Sequence, residues 1–173
     1  GYILFLITGI IFLISCKENI KTNITMDHLN LNIDSMVLEH IWSTDTLLTT
    51  SESVIYDKER VVYYVACING VSPWIHDGDG FIARVGMNGE ILDRKWVENI
   101  SGPKGMGIHQ DKLYVTDINQ VVRIDIPSGV IDERYPIEGG QNINDLTVAS
   151  DGDVFVSDSK TSTIYKISDG EVK

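Results

Sequence analysis

One strand pattern occurs three times in this chain and decides its fold: YYVACI (63–68), LYVTDI (113–118) and VFVSDS (154–159). Each copy is rich in Val, Tyr, Ile or Phe and has the alternation of a β-strand. The equivalent positions are Cys67, Asp117 and Asp158, which are 50 and 41 residues apart. A strand that returns at this period predicts a repeat architecture.

Two further strands and a glycine turn accompany each copy. A short strand precedes it and an alternating strand follows it, and the next turn contains Gly89, Gly129 or Gly170, which are 40 and 41 residues apart. A β-sandwich would also provide strands, but it gives no reason for this period. The pattern predicts an all-β chain, a β-propeller of four-stranded blades, with about three blades in residues 51–173.

The charge of the chain limits its partners. Its 173 residues include 14 Lys and Arg against 25 Asp and Glu, a formal net charge of −11. Nucleic-acid binding draws its affinity from clustered basic side chains, so a nucleic-acid partner is not expected. The charge favours a cationic ligand, a metal ion or a small polar molecule.

The N-terminal residues have the features of an export signal. Residues 2–14 are uncharged and mostly apolar, too short for the roughly 20 residues that span a bilayer, and they suit the apolar region of a signal peptide. The following LISC (13–16) resembles a bacterial lipobox. We therefore predict a lipoprotein signal peptide at 1–15, lipid attachment to Cys16 and a location in the bacterial cell envelope, with the membrane as partner. A buried apolar strand or a short anchor helix ending in Cys is the alternative.

The rest of the chain divides into a tether and the repeat. Residues 16–37 are polar and predict a tether, and residues 38–173 predict a partial propeller. Three blades alone would leave unpaired sheet edges, so we expect the protein to extend beyond Lys173. Residues 38–42 are expected to be the outer strand of the last blade, which closes the ring.

Strand order predicts which face carries the functional site. In an up-and-down blade of strands a to d, the start of strand a, the end of strand b and the long b–c loop at 69–80 all lie at one face. The candidate ligand-binding residues there are Glu52, Lys104, Asn144, Asp145, Asp117, Asp158, Trp74 and His76.

The repeat resembles the senescence marker protein/gluconolactonase propellers and the related NHL-repeat proteins. SESV (51–54) is similar to that family's Glu-containing start of its first blade, and NDL (144–146) to its Asn-Gly-Leu start. The segments 117–124 and 158–167 are similar to its Asp-loop-strand signature. The resemblance covers roughly residues 38–173 and implies six blades in the complete ring.

The resemblance also implies a metal site. Family enzymes hold a divalent ion, often calcium, over the central channel with a Glu, Asn residues and an Asp, and the ion activates a lactone for hydrolysis. By motif position, Glu52 matches the Glu and Asn144 matches an Asn. The sequence departs from the pattern at Lys104, which stands where another Asn is expected, and the Asp is expected beyond Lys173.

Lys104 leaves two functions open, because a protonated ammonium cannot be a metal ligand. In one, a metal persists on Glu52, Asn144 and the later Asp, and the protein is a metal-dependent lactone hydrolase. In the other, the ammonium pairs with Glu52 and replaces the metal, and the protein binds a small polar or sugar-like ligand without hydrolysing it. Either way, Glu52 and Asp145 are expected to favour the charged form of Lys104.

Three further side chains have expected roles. Trp74 and His76 could form a ligand platform in the long loop, although Trp74 could instead only pack that loop onto its blade. Cys67 lies in an apolar strand and is expected to be a buried, unreactive thiol. Trp96 is expected to pack between blades.

Overall fold

The computed structural model describes residues 38–173, which form twelve β-strands. No helix in that range has the length and hydropathy needed to cross a membrane. The signal peptide, Cys16 and the tether up to residue 37 lie outside the described residues, so those assignments stay predictions.

The strands form three antiparallel sheets, each built from four consecutive strands. The first sheet contains β1 (Ser51–Asp57), β2 (Val62–Cys67), β3 (Gly80–Val85) and β4 (Ile91–Ile100). The second contains β5 (Pro103–His109), β6 (Lys112–Asp117), β7 (Gln120–Asp125) and β8 (Val130–Pro136). The third contains β9 (Ile143–Val148), β10 (Val154–Asp158), β11 (Thr163–Ser168) and β12 (Glu171–Val172). This arrangement confirms the predicted all-β fold of four-stranded propeller blades.

Alternation along the strands explains how the sheets stack. Leu113 on β6 belongs to a buried cluster with Tyr64 and Ile82 of the first sheet. Val121 on β7 belongs to a second cluster, with Ile143 and other residues of the third sheet. The second sheet is therefore buried on both faces, and burial of this apolar surface holds the three sheets in order.

Two tryptophans pack alike, each against the glycine turn of the sheet that follows it. Trp96 on β4 stacks on Tyr64 with 4.8 Å between ring centroids, and a Cβ on Gly129 would lie 2.7 Å from its Nε1. A Cβ on Gly89 would lie 2.6 Å from the ring of Trp42. The φ angles of Gly89 and Gly129 are also positive, at 83° and 68° respectively. Both the close tryptophan ring and the backbone conformation therefore exclude a side chain at these positions. The predicted packing of Trp96 between blades is confirmed.

Residues 38–42 form no strand in this structure, although the sequence predicts one there. An outer strand exists only by pairing with a neighbour, and the expected neighbour belongs to a blade beyond the three described. Trp42 nevertheless stands before the first sheet as Trp96 stands before the second. Closure of the ring by this segment stays a prediction.

The inner strands bring their beginnings together on one face. β5 contacts both β1 and β9. Ser53 Oγ donates a hydrogen bond to the Lys104 carbonyl, and Thr116 Oγ1 donates to the Asn144 carbonyl at 2.7 Å. These bonds link the first sheet to the second and the second to the third beside the strand beginnings.

Candidate ligand-binding site

A concave pocket of about 280 Å³ lies where the three inner strands begin. All three sheets contribute to its lining, which consists of Glu52, Ser53, Gly105, Asn144 and Asp145. Gly105 lies against Asp145, so a Cβ there would overlap the Asp145 side chain. The structure thus brings Glu52, Asn144 and Asp145, which strand order predicts on one face, into one pocket.

The two carboxylates give the pocket its electrostatic character. Partial desolvation raises the pKa of Glu52, the nearby Lys104 charge opposes that rise, and the Asp145 carboxylate adds to it. Asp145 is exposed, and its Oδ1 accepts a 2.8 Å hydrogen bond from the Leu146 N–H. The pocket therefore presents acceptor oxygens and negative charge to an incoming ligand.

Lys104 turns away from this pocket, which corrects the predicted ion pair with Glu52. Its side chain is only 3% exposed, and its Nζ donates hydrogen bonds to the Pro73 carbonyl at 2.9 Å and the Gly102 carbonyl at 2.7 Å. The Trp74 ring centroid lies 4.2 Å from the same Nζ. The ammonium is committed to these partners, because its three donors meet two carbonyls and an indole face.

Glu52 favours the charged form of Lys104, as expected, but Asp117 takes the part expected of Asp145 and the net shift of the lysine pKa is downward. Burial lowers the pKa of Lys104, and the charges of Asp117 and Glu52 offset this only in part. Desolvation outweighs the two carboxylates because the side chain lies almost wholly inside the protein.

Asp117 and Asp158 are structural groups, and their prediction as ligand-binding residues is wrong for a common reason. Both are buried, at 1% and 2% exposure. Asp117 Oδ1 accepts hydrogen bonds from Ser101 N at 3.1 Å and Gly102 N at 2.8 Å, and its Oδ2 accepts one from Gln120 Nε2 at 2.9 Å. Its oxygens are occupied by the protein itself.

Asp158 repeats this arrangement in the third sheet. Its carboxylate accepts backbone hydrogen bonds from Gln141, Asn142, Lys160 and Thr161, at 2.8 to 3.3 Å. Burial alone would raise the pKa of Asp158, but these N–H donors outweigh it and lower the pKa to about 2. Each aspartate fastens the start of strand a to the b–c turn of the same sheet.

Trp74 and His76 lie in the long loop between β2 and β3. The Trp74 side chain is 38% exposed, so one part of the indole packs on Lys104 while the rest faces solvent. His76 is exposed in the same loop. The position of Trp74 is compatible with both roles that the sequence left open.

The residues present do not complete a calcium site. Calcium takes six to eight oxygen ligands, and in residues 38–173 no group of three His, Cys, Asp or Glu side chains is placed to hold a metal. The pocket supplies Glu52, Asn144 and Asp145, while the expected further Asn is replaced by the buried Lys104. A metal there would need further oxygen ligands beyond the side chains of Glu52, Asn144 and Asp145.

Several solved structures resemble this chain. The calcium-binding protein regucalcin from Agrobacterium tumefaciens matches at 14% identity with a TM-score of 0.52. A gluconolactonase from Xanthomonas campestris matches at 14% and 0.52, and a luciferin-regenerating enzyme at 18% and 0.51. The fold is that of the gluconolactonase and regucalcin propellers.

These matches cover only part of each neighbour, which limits what can be concluded from them about this propeller. Each covers 69% of this chain and 42%, 44% and 42% of the respective neighbour, so the chain spans less than half of each. No protein-family model and no curated protein sequence matches it. At such identities the likeness shows the fold alone.

Sequence reasoning missed the groups that hold the long loop of the propeller. These are the carbonyls of Pro73 and Gly102, which bind Lys104, and the hydroxyl of Ser101, which accepts a 3.0 Å hydrogen bond from Gly78 N. Carbonyls belong to every residue, so no sequence signal marks two of them as partners of a lysine. The unusual length of the loop was the one available signal.

Proposed function

We propose that the protein is an exported, lipid-anchored propeller that binds a small polar ligand in the pocket of Glu52, Asn144 and Asp145, without hydrolysing it. The observation that carries this proposal is the convergence of these three side chains from two sheets around Gly105 of a third. The pocket mainly offers hydrogen-bond acceptors. Neutral ligands rich in hydroxyl groups, such as sugars, and organic cations suit it better than anions.

Calorimetric titration of the purified chain tests this proposal. The probes are glucose as a neutral polyol, choline as a cation and gluconate as an anion. We expect binding of glucose or choline, and binding of gluconate at least about tenfold weaker, which corresponds to about 1.4 kcal/mol. Tighter binding of gluconate, or no binding of any probe, would contradict the proposal.

Variants locate the binding. Glu52→Gln and Asp145→Asn each remove a charge and are expected to weaken binding about tenfold, since hydrogen bonds to charged groups contribute about 1.5–3 kcal/mol. The matched control is Glu98→Gln, because Glu98 is 53% exposed and pairs with Lys95 away from the pocket. An equal loss in the control would show that general charge, and not this pocket, controls affinity.

A metal-dependent lactone hydrolase is the second candidate, favoured because Glu52 and Asn144 line one pocket in a gluconolactonase-type fold. It requires further oxygen ligands for the metal beyond those that this pocket supplies. The test measures glucono-1,5-lactone hydrolysis by the purified protein with and without calcium. Calcium-dependent hydrolysis that Glu52→Gln abolishes would replace the binding proposal, as would bound calcium at one ion per chain with such activity.

Lipid anchoring through Cys16 is part of the same proposal and is tested separately. The expected mature N-terminus is an acylated Cys16, detectable by mass spectrometry of protein extracted from membranes. Cys16→Ser should release the protein from the membrane fraction. An unmodified Cys16 in membrane-extracted protein would overturn this assignment and leave the pocket proposal intact.

A further inference from the structure

The loop between β2 and β3 is held differently from its equivalents in the other two sheets. It has twelve residues, 68–79, against two and four between the corresponding strands. The short turns are fastened by Asp117 and Asp158, whereas Cys67 takes their position in the first sheet and offers no carboxylate. Hydrogen bonds fasten only the start of the long loop to the chain before β1, from Ile68 N to the Thr50 carbonyl at 3.1 Å and from Thr49 Oγ1 to Asn69 Oδ1 at 2.5 Å. The rest of the loop needs another means of attachment.

The second sheet supplies that attachment at residues 101–104. Lys104 Nζ binds the Pro73 carbonyl on the loop and the Gly102 carbonyl below it. Gly78 N donates to Ser101 Oγ at 3.0 Å, nearer the end of the loop. The contact is close, because a Cβ on Gly102 would lie 2.5 Å from the Pro73 carbonyl oxygen.

The ammonium is central to this contact. It lies between the two carbonyls with its third side against the Trp74 indole. Removing it would leave two carbonyl groups facing each other without a donor, and unmet acceptors are costly away from water. The loop would then move out to let water bind them. The Trp74 side chain would lose its inner support in the same movement.

We propose that Lys104 is a positioning residue, whose buried ammonium holds residues 68–79 against the second sheet and fixes the Trp74 indole on the face where the inner strands begin. The exposed part of the indole is then available to stack against a sugar-like ligand bound at that face. Its use for a ligand rests on the proposed function. The attachment of the loop does not, and it is measured without any ligand.

Limited proteolysis with chymotrypsin measures the attachment, because the enzyme cleaves after Trp74 only when the loop opens. Lys104→Met keeps the side-chain length and removes the charge, and we expect cleavage there to rise about tenfold, a change of about 1.4 kcal/mol in opening. Lys95→Met is the matched control, because Lys95 is 42% exposed and lies on β4. Equal cleavage of wild type and both variants, with all three folded by circular dichroism, would overturn the proposal.

Chemical rescue separates the ammonium from general packing. Lys104→Ala leaves space for the missing chain, and n-propylammonium has the size and charge of the part removed. We expect millimolar n-propylammonium, but not neutral n-propanol of the same size at the same concentration, to restore protection at Trp74. Equal protection with both molecules, or with neither, in a folded variant would contradict the role of the charge.

A measurement on the wild-type protein covers the case in which both Lys104 variants fail to fold. Acetylation of lysines by an N-hydroxysuccinimide ester, read by mass spectrometry, should modify Lys104 at least about tenfold more slowly than Lys95, because a lysine in a closed contact is reached only on opening. Trp74→Leu should speed acetylation of Lys104 and leave Lys95 unchanged. Equal rates for the two lysines in wild type would overturn the proposal, whatever the outcome of the ligand titrations.

Discussion

The connection between the second and third strands is held by a buried positive charge in the first sheet and by a buried negative charge in the other two sheets. In the second and third sheets a buried carboxylate collects N–H donors and fastens a short turn to the start of the inner strand. In the first sheet the carboxylate is absent, and an ammonium from the second sheet collects carbonyl acceptors from a long loop. A buried charge is tolerated in either case because the backbone satisfies it.

This difference determines which sheet can carry a long loop with side chains available to a ligand. An aspartate side chain is short, so it restrains a turn of two to four residues and the strand beginning next to it, both in its own sheet. The lysine acts across sheets, so it can hold a loop of twelve residues that carries Trp74 and His76. This difference predicts that an aspartate in the first sheet could not hold the long loop as Lys104 does.

Placing an aspartate in the first sheet is expected to have the largest effect. Cys67 is fully buried beside Phe81 and Ala83, and burial raises its pKa to about 11. Cys67→Asp would bury a carboxylate without the tight turn that supplies donors, at a cost of about 3–5 kcal/mol in unfolding free energy. Urea unfolding measures this, with Cys67→Ala as the control at about 1 kcal/mol. A stable Cys67→Asp protein would mean that the long loop can supply donors.

Removing the aspartate of the second sheet should have the next largest effect. Asp117→Ala leaves the N–H groups of Ser101 and Gly102 without their acceptor, so we expect a loss of about 2–3 kcal/mol in urea unfolding. The same change should increase chymotrypsin cleavage after Trp74, because residues 101–104 support the loop. A loss below about 0.5 kcal/mol, the usual range for surface substitutions, would contradict this role.

Acid should weaken the third sheet through Asp158. Its pKa is lowered to about 2 in the folded protein from 3.8, so the unfolded chain binds the proton first as pH falls. The stabilisation is complete above pH about 4 and is lost toward pH about 2, amounting to about 2 kcal/mol. Asp158→Asn should be less stable at pH 7, and its stability should fall less between pH 4 and 2. Parallel pH profiles for the two proteins would rule this out.

The smallest effect is expected for Gln120→Ala, which removes the side-chain donor to Asp117 and leaves its two backbone donors in place. Its Nε2 donates to Asp117 Oδ2 at 2.9 Å, while the two backbone donors bind Oδ1. Gln120→Ala should cost about 1 kcal/mol in urea unfolding, the usual net contribution of one hydrogen bond. A loss as large as that of Asp117→Ala would show that the turn, and not the start of strand a, is what Asp117 holds.

Much of the fold could be read from local patterns. The three strands around Cys67, Asp117 and Asp158, the glycine turns and the interblade position of Trp96 all follow from alternation and period, and the structure confirms them. The shared face was also predictable, because strand order decides which ends meet. The outer strand predicted at residues 38–42 is not formed, since an outer strand depends on pairing with a partner blade.

The site was predictable only where a side chain faces the pocket directly. Glu52, Asn144 and Asp145 meet there as strand order suggests. Asp117 and Asp158 were misassigned because an acidic residue at a loop has the same appearance in sequence whether it binds a ligand or its own backbone. Their burial and their N–H donors appear only in three dimensions.

The sequence by itself determined the period, the strands, the negative charge and the face on which the inner strands begin, because these depend on residue order and composition. Only the tertiary structure decided the state of Lys104. Its neighbours in space are the backbone carbonyls of Pro73 and Gly102 and the ring of Trp74. Desolvation by that packing outweighs the nearby acids and lowers its pKa, so the lysine that the sequence predicts as a ligand-binding residue supports the loop between β2 and β3 instead.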